Sequence, residues 1–215
     1  MKLYGIKACI YDLDGTIVDT EQFHDKGWIH ACGHYNITPT TEMLMAVKGL
    51  SGDDAARLML PPEKKHLFRE LRDAKAVYVL DHLDEIHFLP GFPETYEELS
   101  ARNITVGICT SSRKPFIDAY LAKLPLLRSF EGKIIHQEMY TKGKPAAEPL
   151  LLAMQMLGRF SPAESLYIGD TYADYQSATN AGLNFFYFRS ASFDDQRIPP
   201  TVPRLSDHRE LLLDL

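Results

Sequence analysis

Residues 12–20 read Asp12-Leu13-Asp14-Gly15-Thr16-Ile17-Val18-Asp19-Thr20 and directly follow an apolar run over residues 6–11. Such a run is typical of a buried β-strand that ends at the first aspartate. Side chains two positions apart on an extended chain share a face, so Asp12 and Asp14 would crowd together. An acidic turn after a strand is one explanation, because Asp and Gly are common turn residues. A divalent cation is the other, since it removes the repulsion and leaves a carboxylate oxygen free to attack an electrophile.

Further short apolar runs rich in β-forming residues predict more strands, at residues 104–109, 166–168 and 185–188 and, more weakly, at 133–136. Helical patterns separate these runs, over residues 93–102, 114–124 and 145–157. Strands that alternate with helices are typical of a parallel sheet with helices on both faces. A last amphipathic segment occupies residues 205–215. The sequence therefore predicts an α/β fold.

The connection between the first and second predicted strands, residues 12–103, is too long for one crossover. From residue 21 to about residue 83 its pattern is mostly helical, with breaks at Pro39, at residues 49–52 and at residues 61–62. A structureless loop of this length is uncommon in a compact domain, so an inserted helical subdomain is the better prediction. We place the core at residues 1–19 and 88–215 and the inserted subdomain at residues 20–87.

Composition narrows the class of protein. The chain has 215 residues, of which 45% are hydrophobic, and its net charge of −6 argues against general nucleic-acid binding. No apolar stretch approaches the ~20 residues of a membrane span. The three cysteines, Cys9, Cys32 and Cys109, show no metal or redox spacing, so we expect free thiols and a cytoplasmic setting. Outside the predicted core, no large apolar stripe remains that could form a subunit interface. We therefore expect a monomer, and we expect no membrane or nucleic-acid partner.

Polar residues that could bind a ligand or take part in catalysis follow the other predicted strands. In a parallel sheet, functional residues lie mainly at the carboxyl ends of the strands. Residues 110–112, Thr-Ser-Ser, can bind a phosphate with hydroxyls and N–H groups or can simply cap the next helix. Lys144 stands between a glycine and a proline. Asp170 and Asp174 follow the fourth strand one turn apart, either as a capped turn or as metal ligands.

The segment from Asp12 to Asp19 resembles the first motif, D-x-D-G-[T/V]-[L/I/V]-x-D, of the haloacid dehalogenase superfamily. The three later segments resemble its second, third and fourth motifs in order. The resemblance implies that Asp12 is a phosphoryl-accepting nucleophile and Asp14 a general acid and base. It further implies that Thr110, with help from Ser111, and Lys144 bind the substrate phosphate.

The same resemblance implies a Rossmann-like parallel sheet flanked by helices, with an inserted α-helical cap subdomain over the active site. It implies a Mg²⁺ ion held by Asp12, Asp170 and the main-chain carbonyl of Asp14, with Asp174 in or just behind the coordination shell. Lys142 takes the place of Lys144 only if the third motif is displaced by two residues.

The cap decides the substrate, and its entry resembles the subgroup of β-phosphoglucomutase and phosphoglycolate phosphatase-like enzymes. We expect a small phosphorylated metabolite, with His24, Lys48 and Ser51 as candidate substrate contacts. The mutases of that subgroup carry an arginine at the position of Gly52 and a glutamate at that of Gly169. Both departures favour a phosphatase over a phosphosugar mutase, which is the alternative.

The motif residues argue against two further classes of protein, a haloacid dehalogenase and a non-catalytic binding protein of the same fold. A haloacid dehalogenase would lack the second aspartate of the first motif, which is present here as Asp14. A binding protein of this fold would be expected to have lost Asp12, Asp14, Lys144 or Asp170, and the chain retains all four.

Overall fold

The fold is built on one parallel β-sheet. The computed structural model describes residues 5–191 and 193–214. In these residues six strands form the sheet in the spatial order β3-β2-β1-β4-β5-β6, and every neighbouring pair is parallel. The strands are β1 (Ala8–Tyr11), β2 (Thr105–Cys109), β3 (Ile134–Ile135), β4 (Ser165–Gly169), β5 (Asn184–Phe188) and β6 (Arg204–Leu205).

The predicted α/β architecture is confirmed. The register of the three central strands brings their carboxyl ends, and the residues that follow them, to the same edge of the sheet. Strand β1 lies between β2 and β4, and Tyr11 pairs with Ile108 on one side and Ile168 on the other. The N–H of Asp12 donates to the carbonyl of Ile168 at 2.8 Å. The chain order reverses between β1 and β4, and such a switch point is where open parallel sheets bind ligands.

Helices cover both faces of the sheet because alternate strand residues point to opposite sides. Cys9 and Tyr11 pack in an apolar cluster with helices α5 and α6, whereas Ile10 packs in a second cluster with α7 and α8. These helices are α5 (Phe92–Ala101), α6 (Lys114–Lys123), α7 (Glu148–Leu157) and α8 (Tyr172–Ala181).

The connection between β1 and β2 is helical, as predicted. It contains α1 (Glu21–Gly33), α2 (Thr41–Val47), α3 (Gly52–Met59) and α4 (Phe68–Asp81), with 3₁₀ turns at Pro62–Leu67 and Leu83–Glu85. Trp28, Met59 and Leu71 belong to an apolar cluster made by these helices alone. We call residues 20–87 the cap; this division stays a prediction, and the separate apolar cluster supports it.

The two crossings between cap and core run side by side. The N–H of Asp19 donates to the carbonyl of His87 at 3.0 Å, and the N–H of Leu89 donates to the carbonyl of Ile17 at 2.9 Å. Val18 also forms an antiparallel bridge with Phe88. The chain therefore enters and leaves the cap at adjacent points, directly behind the first motif.

One predicted boundary was wrong. Helix α7 begins at Glu148 rather than at residue 145, because residues 144–147 form a turn. The amphipathic segment 205–215, to which the sequence assigned no element, begins in strand β6 and continues as a 3₁₀ helix, His208–Leu213. Residues 1–4 of the predicted core and Leu215 lie outside the described residues. In the described part of the chain, no helix combines the length and the apolar character needed to cross a bilayer.

Candidate active site

A cleft lies between the carboxyl end of the sheet and the cap. Its core side is lined by Asp12, Asp14, Thr110 and Lys144, and its cap side includes His24. The cap-side lining further includes Lys48 and Lys75. The structure thus gathers most of the predicted site residues around one cavity.

Three buried carboxylates form a cluster at the strand ends. Asp12 follows β1, Asp170 follows β4 and Asp174 lies in the first turn of α8, and one oxygen from each lies within 4.8 Å of the others. Gly15 is part of this packing, because its φ is +77° and a Cβ there would overlap Oδ2 of Asp170. The glycine of the first motif is therefore required by the close approach of a carboxylate, not only by its turn.

Lys144 provides the positive charge of this cluster. Its Nζ donates to Oδ1 of Asp12 at 2.5 Å, to Oδ1 of Asp174 at 2.6 Å and to the hydroxyl oxygen of Tyr167 at 2.7 Å. Burial favours the neutral amine, but Asp12 and Asp174 outweigh burial and hold the pKa of Lys144 well above its usual range. The ammonium therefore stays charged and fixes the position of Asp12.

Asp170 has an unsatisfied oxygen. Its Oδ1 accepts from the Thr16 hydroxyl at 3.0 Å, whereas Oδ2 is buried and has no hydrogen-bond partner among the described residues. Burial, with the nearby carboxylates of Glu21 and Asp174, raises the pKa of Asp170 well above its usual range. Burial likewise raises the pKa of Asp12, against the lowering effect of Lys144.

These features fit a divalent cation. A buried carboxylate oxygen without a donor is costly, and hard cations such as Mg²⁺ take oxygen ligands. Asp12 and Asp170 are the side chains available to such an ion. Both oxygens of Asp174 are occupied, Oδ1 by Lys144 and Tyr167 and Oδ2 by the N–H and hydroxyl of Thr171. Asp174 thus positions Lys144 and begins helix α8.

Asp14 is separated from this cluster and is held by four donors. Oδ1 accepts from the hydroxyls of Tyr120 at 2.7 Å and Thr20 at 2.8 Å and lies 3.0 Å from Nε2 of His24. Oδ2 accepts from the Ser112 hydroxyl at 2.5 Å. Burial disfavours the ionised form, but His24 and the hydroxyl donors prevail and hold the pKa of Asp14 well below its usual range.

His24 links Asp14 to Lys75. Nζ of Lys75 lies 2.5 Å from Nδ1 of His24. An ammonium can only donate, so Nδ1 accepts and Nε2 carries the proton that is shared with Asp14. Burial lowers the pKa of Lys75 to about 8, although Asp14 opposes this shift. The predicted residue His24 therefore faces the site, and its ring connects Asp14 with Lys75.

The predicted phosphate-binding hydroxyls lie at the end of β2. Thr110 is buried, and its Oγ1 accepts from the N–H of Ser112 at 3.0 Å. Ser111 donates to the carbonyl of Gly49 in the cap at 3.0 Å. Helix α6 begins only at Lys114, its N-cap residue is Arg113, and the N–H of Lys114 donates to the carboxylate of Glu138 instead. The alternative that these hydroxyls cap the helix is therefore excluded, and both residues line the cleft.

Two other predicted positions differ in their surroundings. Lys48 lines the cleft and is ion-paired with Glu21 and Asp25. Ser51 is not among the lining residues, because it is the N-cap of α3, where its hydroxyl accepts from the N–H of Asp54 at 3.2 Å. A serine followed three residues later by an acidic residue is the usual pattern of such a cap.

Several residues of the site could not be found from the sequence. They are Thr16, Lys75, Tyr120 and Tyr167, and the contact of Ser112 with Asp14 was likewise not expected. Tyr120 and Lys75 are single positions on helices α6 and α4, and nothing in their local sequence marks them. Ser112 and Thr16 stand inside the recognised segments, so their proximity to the motif residues was the available signal.

The chain is similar to several characterised proteins and solved structures over most of its length. A β-phosphoglucomutase of Bacillus subtilis is 30% identical over 189 residues, which cover 83% of this chain and 81% of that protein. A pyrophosphatase, PpaX, of Oceanobacillus iheyensis is 27% identical over 179 residues, which cover 83% of this chain and 81% of that protein. In fold, the chain is similar to a hydrolase from Pseudomonas syringae, with a TM-score of 0.84, 24% identity and 96% of each chain covered.

A family model extends this likeness to nearly the whole fold. The model described as haloacid dehalogenase-like hydrolase matches residues 9–188. That range begins in β1 and ends with β5, and it contains each of the four segments whose order and spacing resembled the superfamily motifs. The chain therefore belongs to the family of haloacid dehalogenase-like hydrolases.

Proposed function

We propose that this protein is a Mg²⁺-dependent phosphatase that hydrolyses a small phosphorylated metabolite through a covalent aspartyl-phosphate on Asp12. The observation that carries the proposal is the contact between Asp12 and Lys144, next to the unsatisfied oxygen of Asp170. Relatives named pyrophosphatase and fructose-1-phosphate phosphatase support a phosphorylated small molecule as substrate.

The metal would be held by the side chains of Asp12 and Asp170 and by the main-chain carbonyl of Asp14. When bound there, Mg²⁺ would offset the charge of the carboxylates and of the substrate phosphate. Asp174 contributes indirectly, because it fixes Lys144. We propose that Thr110 and Ser111, at the carboxyl end of β2, hold the phosphoryl oxygens together with Lys144.

In the first step a carboxylate oxygen of Asp12 attacks phosphorus in line, and the bond from phosphorus to the leaving oxygen breaks. Asp14 protonates the departing alkoxide. In the second step Asp14 takes a proton from water, which attacks phosphorus and releases Asp12. The Asp14 carboxylate suits this second step, since four donors hold it ionised.

For the first step Asp14 must acquire a proton, which is unfavourable while its donors hold it ionised, and the His24 N–H at 3.0 Å is the nearest source. The proton would leave Nε2, and a proton of Lys75 would replace it on Nδ1, which lies 2.5 Å from Nζ. The lowered pKa of Lys75, about 8, makes this uphill transfer less costly than from an ordinary lysine. We therefore propose that Lys75 and His24 form the proton path to Asp14.

A phosphosugar mutase is the second candidate, and the 30% identity to a protein named β-phosphoglucomutase favours it. Gly52 and Gly169, which stand where mutases resembling this chain carry Arg and Glu, disfavour it. We also infer a cytoplasmic monomer. The buried, free thiols of Cys9, Cys32 and Cys109 support a reducing setting.

The test is a phosphate-release screen over phosphorylated metabolites with Mg²⁺, with EDTA and with Asp12→Asn. We expect release from one or a few compounds, and we expect EDTA and the variant each to abolish it. Release by cleanly purified Asp12→Asn would refute Asp12 as the nucleophile. No release, combined with turnover when a sugar bisphosphate is supplied as primer, would favour the mutase.

A further inference from the structure

We infer that the substrate carries its only anionic group on the transferred phosphate, and that the leaving group is an uncharged fragment. The inference rests on the proposed function and names the substrate class of the same cleft. It follows from the ion pairs of the cations that line the cap side and the rim.

Lys48 is the first of these cations. Its side chain is only 7% exposed, and its Nζ contacts a carboxylate oxygen of Glu21 and lies 3.1 Å from Oδ1 of Asp25. The two carboxylates raise the pKa of Lys48 even though burial opposes them. A substrate anion would have to compete with these carboxylates for Lys48, and displacing Glu21 would leave a buried carboxylate unpaired.

Arg72 is the second cation, and it reaches the cleft across Gly52. A Cβ at Gly52 would lie 3.2 Å from Cγ of Arg72, so the stem of the arginine fills the space that a side chain at position 52 would need. The guanidinium is ion-paired, with Nη1 2.5 Å from Oδ1 of Asp53 and Nε 2.8 Å from Oδ1 of Asp73. Arg72 therefore contributes shape to the cleft while its charge is already neutralised.

Arg113, at the rim of the cleft, also has carboxylates as partners. Its Nη1 lies 3.8 Å from Oδ1 of Asp73 and its Nε 3.3 Å from Oε1 of Glu138. Lys75 has no carboxylate partner in the described chain, but it donates to His24, and burial lowers its pKa.

On this side of the cleft, four cations therefore face five carboxylates. The cations are Lys48, Arg72, Lys75 and Arg113, and the carboxylates are Glu21, Asp25, Asp53, Asp73 and Glu138. No positive charge remains in excess to attract a second phosphate or a carboxylate. The remaining wall is apolar and includes Trp28, Leu50 and Phe116, which suits a carbon skeleton.

The experiment compares substrates that differ only in the charge at the far end. One pair is 2-hydroxyethyl phosphate and 2-phosphoglycolate, in which a CH₂OH group is replaced by a carboxylate. A second pair is fructose 1-phosphate and fructose 1,6-bisphosphate, assayed for loss of the 1-phosphate. We expect kcat/KM to be about tenfold higher for the neutral member of whichever pair is turned over, the factor that the loss of one hydrogen bond between charged groups would cost.

Charge-release variants make the test specific to the proposed mechanism. Asp53→Asn removes one of the two carboxylates paired with Arg72. Asp73→Asn, at an exposed position, removes one carboxylate from Arg72 and one from Arg113. Each variant should lower the preference for the neutral member severalfold. Asp118→Asn removes the same charge from an exposed pair with Lys114 outside the cleft lining and should leave the preference unchanged.

The outcomes separate this inference from the proposed function. Equal or faster turnover of the charged members by the wild-type protein would overturn the inference and leave the phosphatase assignment intact. The same holds if the wild type prefers the neutral members and both charge-release variants keep that preference in full. Absence of Mg²⁺-dependent turnover of every phosphomonoester tested would reject the proposed function itself, and the inference with it.

Discussion

Lys144 and Asp12 form a buried ion pair at the carboxyl end of the central strand, with Nζ 2.5 Å from Oδ1 and side chains that are 1% and 9% exposed. The same ammonium lies 2.6 Å from Oδ1 of Asp174. One cation therefore stabilises two buried carboxylates that lie far apart in the sequence. Removing it would leave both carboxylates without a counter-charge, although Asp174 would keep its hydrogen bonds from Tyr167 and Thr171.

Lys144→Met tests this dependence. We expect the free energy of unfolding of the metal-free protein to fall by about 3–5 kcal/mol at neutral pH, the usual cost of breaking a buried ion pair. We also expect kcat to fall by about 100-fold or more, because the variant loses charge stabilisation at the phosphoryl group. Urea denaturation and phosphate release measure the two effects. The exposed neighbour Lys142, replaced by Met, is the control, and equal behaviour of the two variants would contradict the assignment of Lys144.

Asp170→Asn separates metal binding from folding. In the metal-free protein we expect a gain in stability of about 1 kcal/mol or more, because the variant removes a buried charge whose Oδ2 has no partner. In the wild type, Mg²⁺ at about 100 times its Kd should add about 2.7 kcal/mol, and in the variant this addition should be lost. Thermal unfolding with and without Mg²⁺ is the measurement. Full Mg²⁺ stabilisation of the variant would rule out Asp170 as a ligand.

Tyr120→Phe tests whether the phenol positions Asp14. Its hydroxyl donates to Oδ1 of Asp14 at 2.7 Å, and the ring is fully buried in α6. We expect kcat to fall by roughly tenfold, the value of a hydrogen bond to a charged group, with KM nearly unchanged. Steady-state kinetics with the preferred substrate is the measurement. Tyr175→Phe, in α8, is the matched control, and a change in KM alone would contradict a role through Asp14.

His208 makes stability depend on pH. It is fully buried, its Nε2 lies 2.8 Å from the carbonyl of Thr16, and its ring stacks on Phe188. Burial lowers the pKa of His208 from 6.5 to about 4, although the bond to Thr16 opposes this. Because the folded pKa lies below the unfolded one, the unfolded chain binds more protons between these values. Stability is then complete above pH 6.5 and falls as the pH drops towards 4.

At pH 5 this single group should lower the free energy of unfolding by about 2 kcal/mol relative to pH 7. His208→Gln keeps a donor for the Thr16 carbonyl but does not titrate in this range. Chemical denaturation of both proteins at pH 7, 6 and 5 should therefore show a smaller loss in the variant. Parallel curves for the two proteins would mean that His208 does not produce the pH dependence.

The centre of the fold could be predicted because its signals are local. Apolar runs bounded by Asp12, Thr110 and Asp170 marked both the strands and the strand ends at which the site lies. Elements with weak local signals were missed or misplaced. Strand β6 has only two residues and depends on pairing with β5 for its existence, and helix α7 starts late because residues 144–147 form a turn.

The supporting residues of the site could not be predicted, for a related physical reason. Tyr120 reaches Asp14 over 106 positions of sequence and Tyr167 reaches Lys144 over 23, so tertiary packing alone brings them together. Ser51 shows the opposite case. Its place in a loop facing the cleft suggested a substrate contact, but the local need of helix α3 for an N-cap accounts for its hydroxyl.

The paired crossings at residues 17–19 and 87–89 have a consequence for how such enzymes diversify. Hydrogen bonds join the two crossings, so the two ends of the segment between them lie side by side. A helical segment of different sequence joined at the same two points would leave unchanged the strand register that holds Asp12 beside Asp170. Under the proposed function, a change of substrate would then require changes in the cap alone, with the catalytic residues of the core kept.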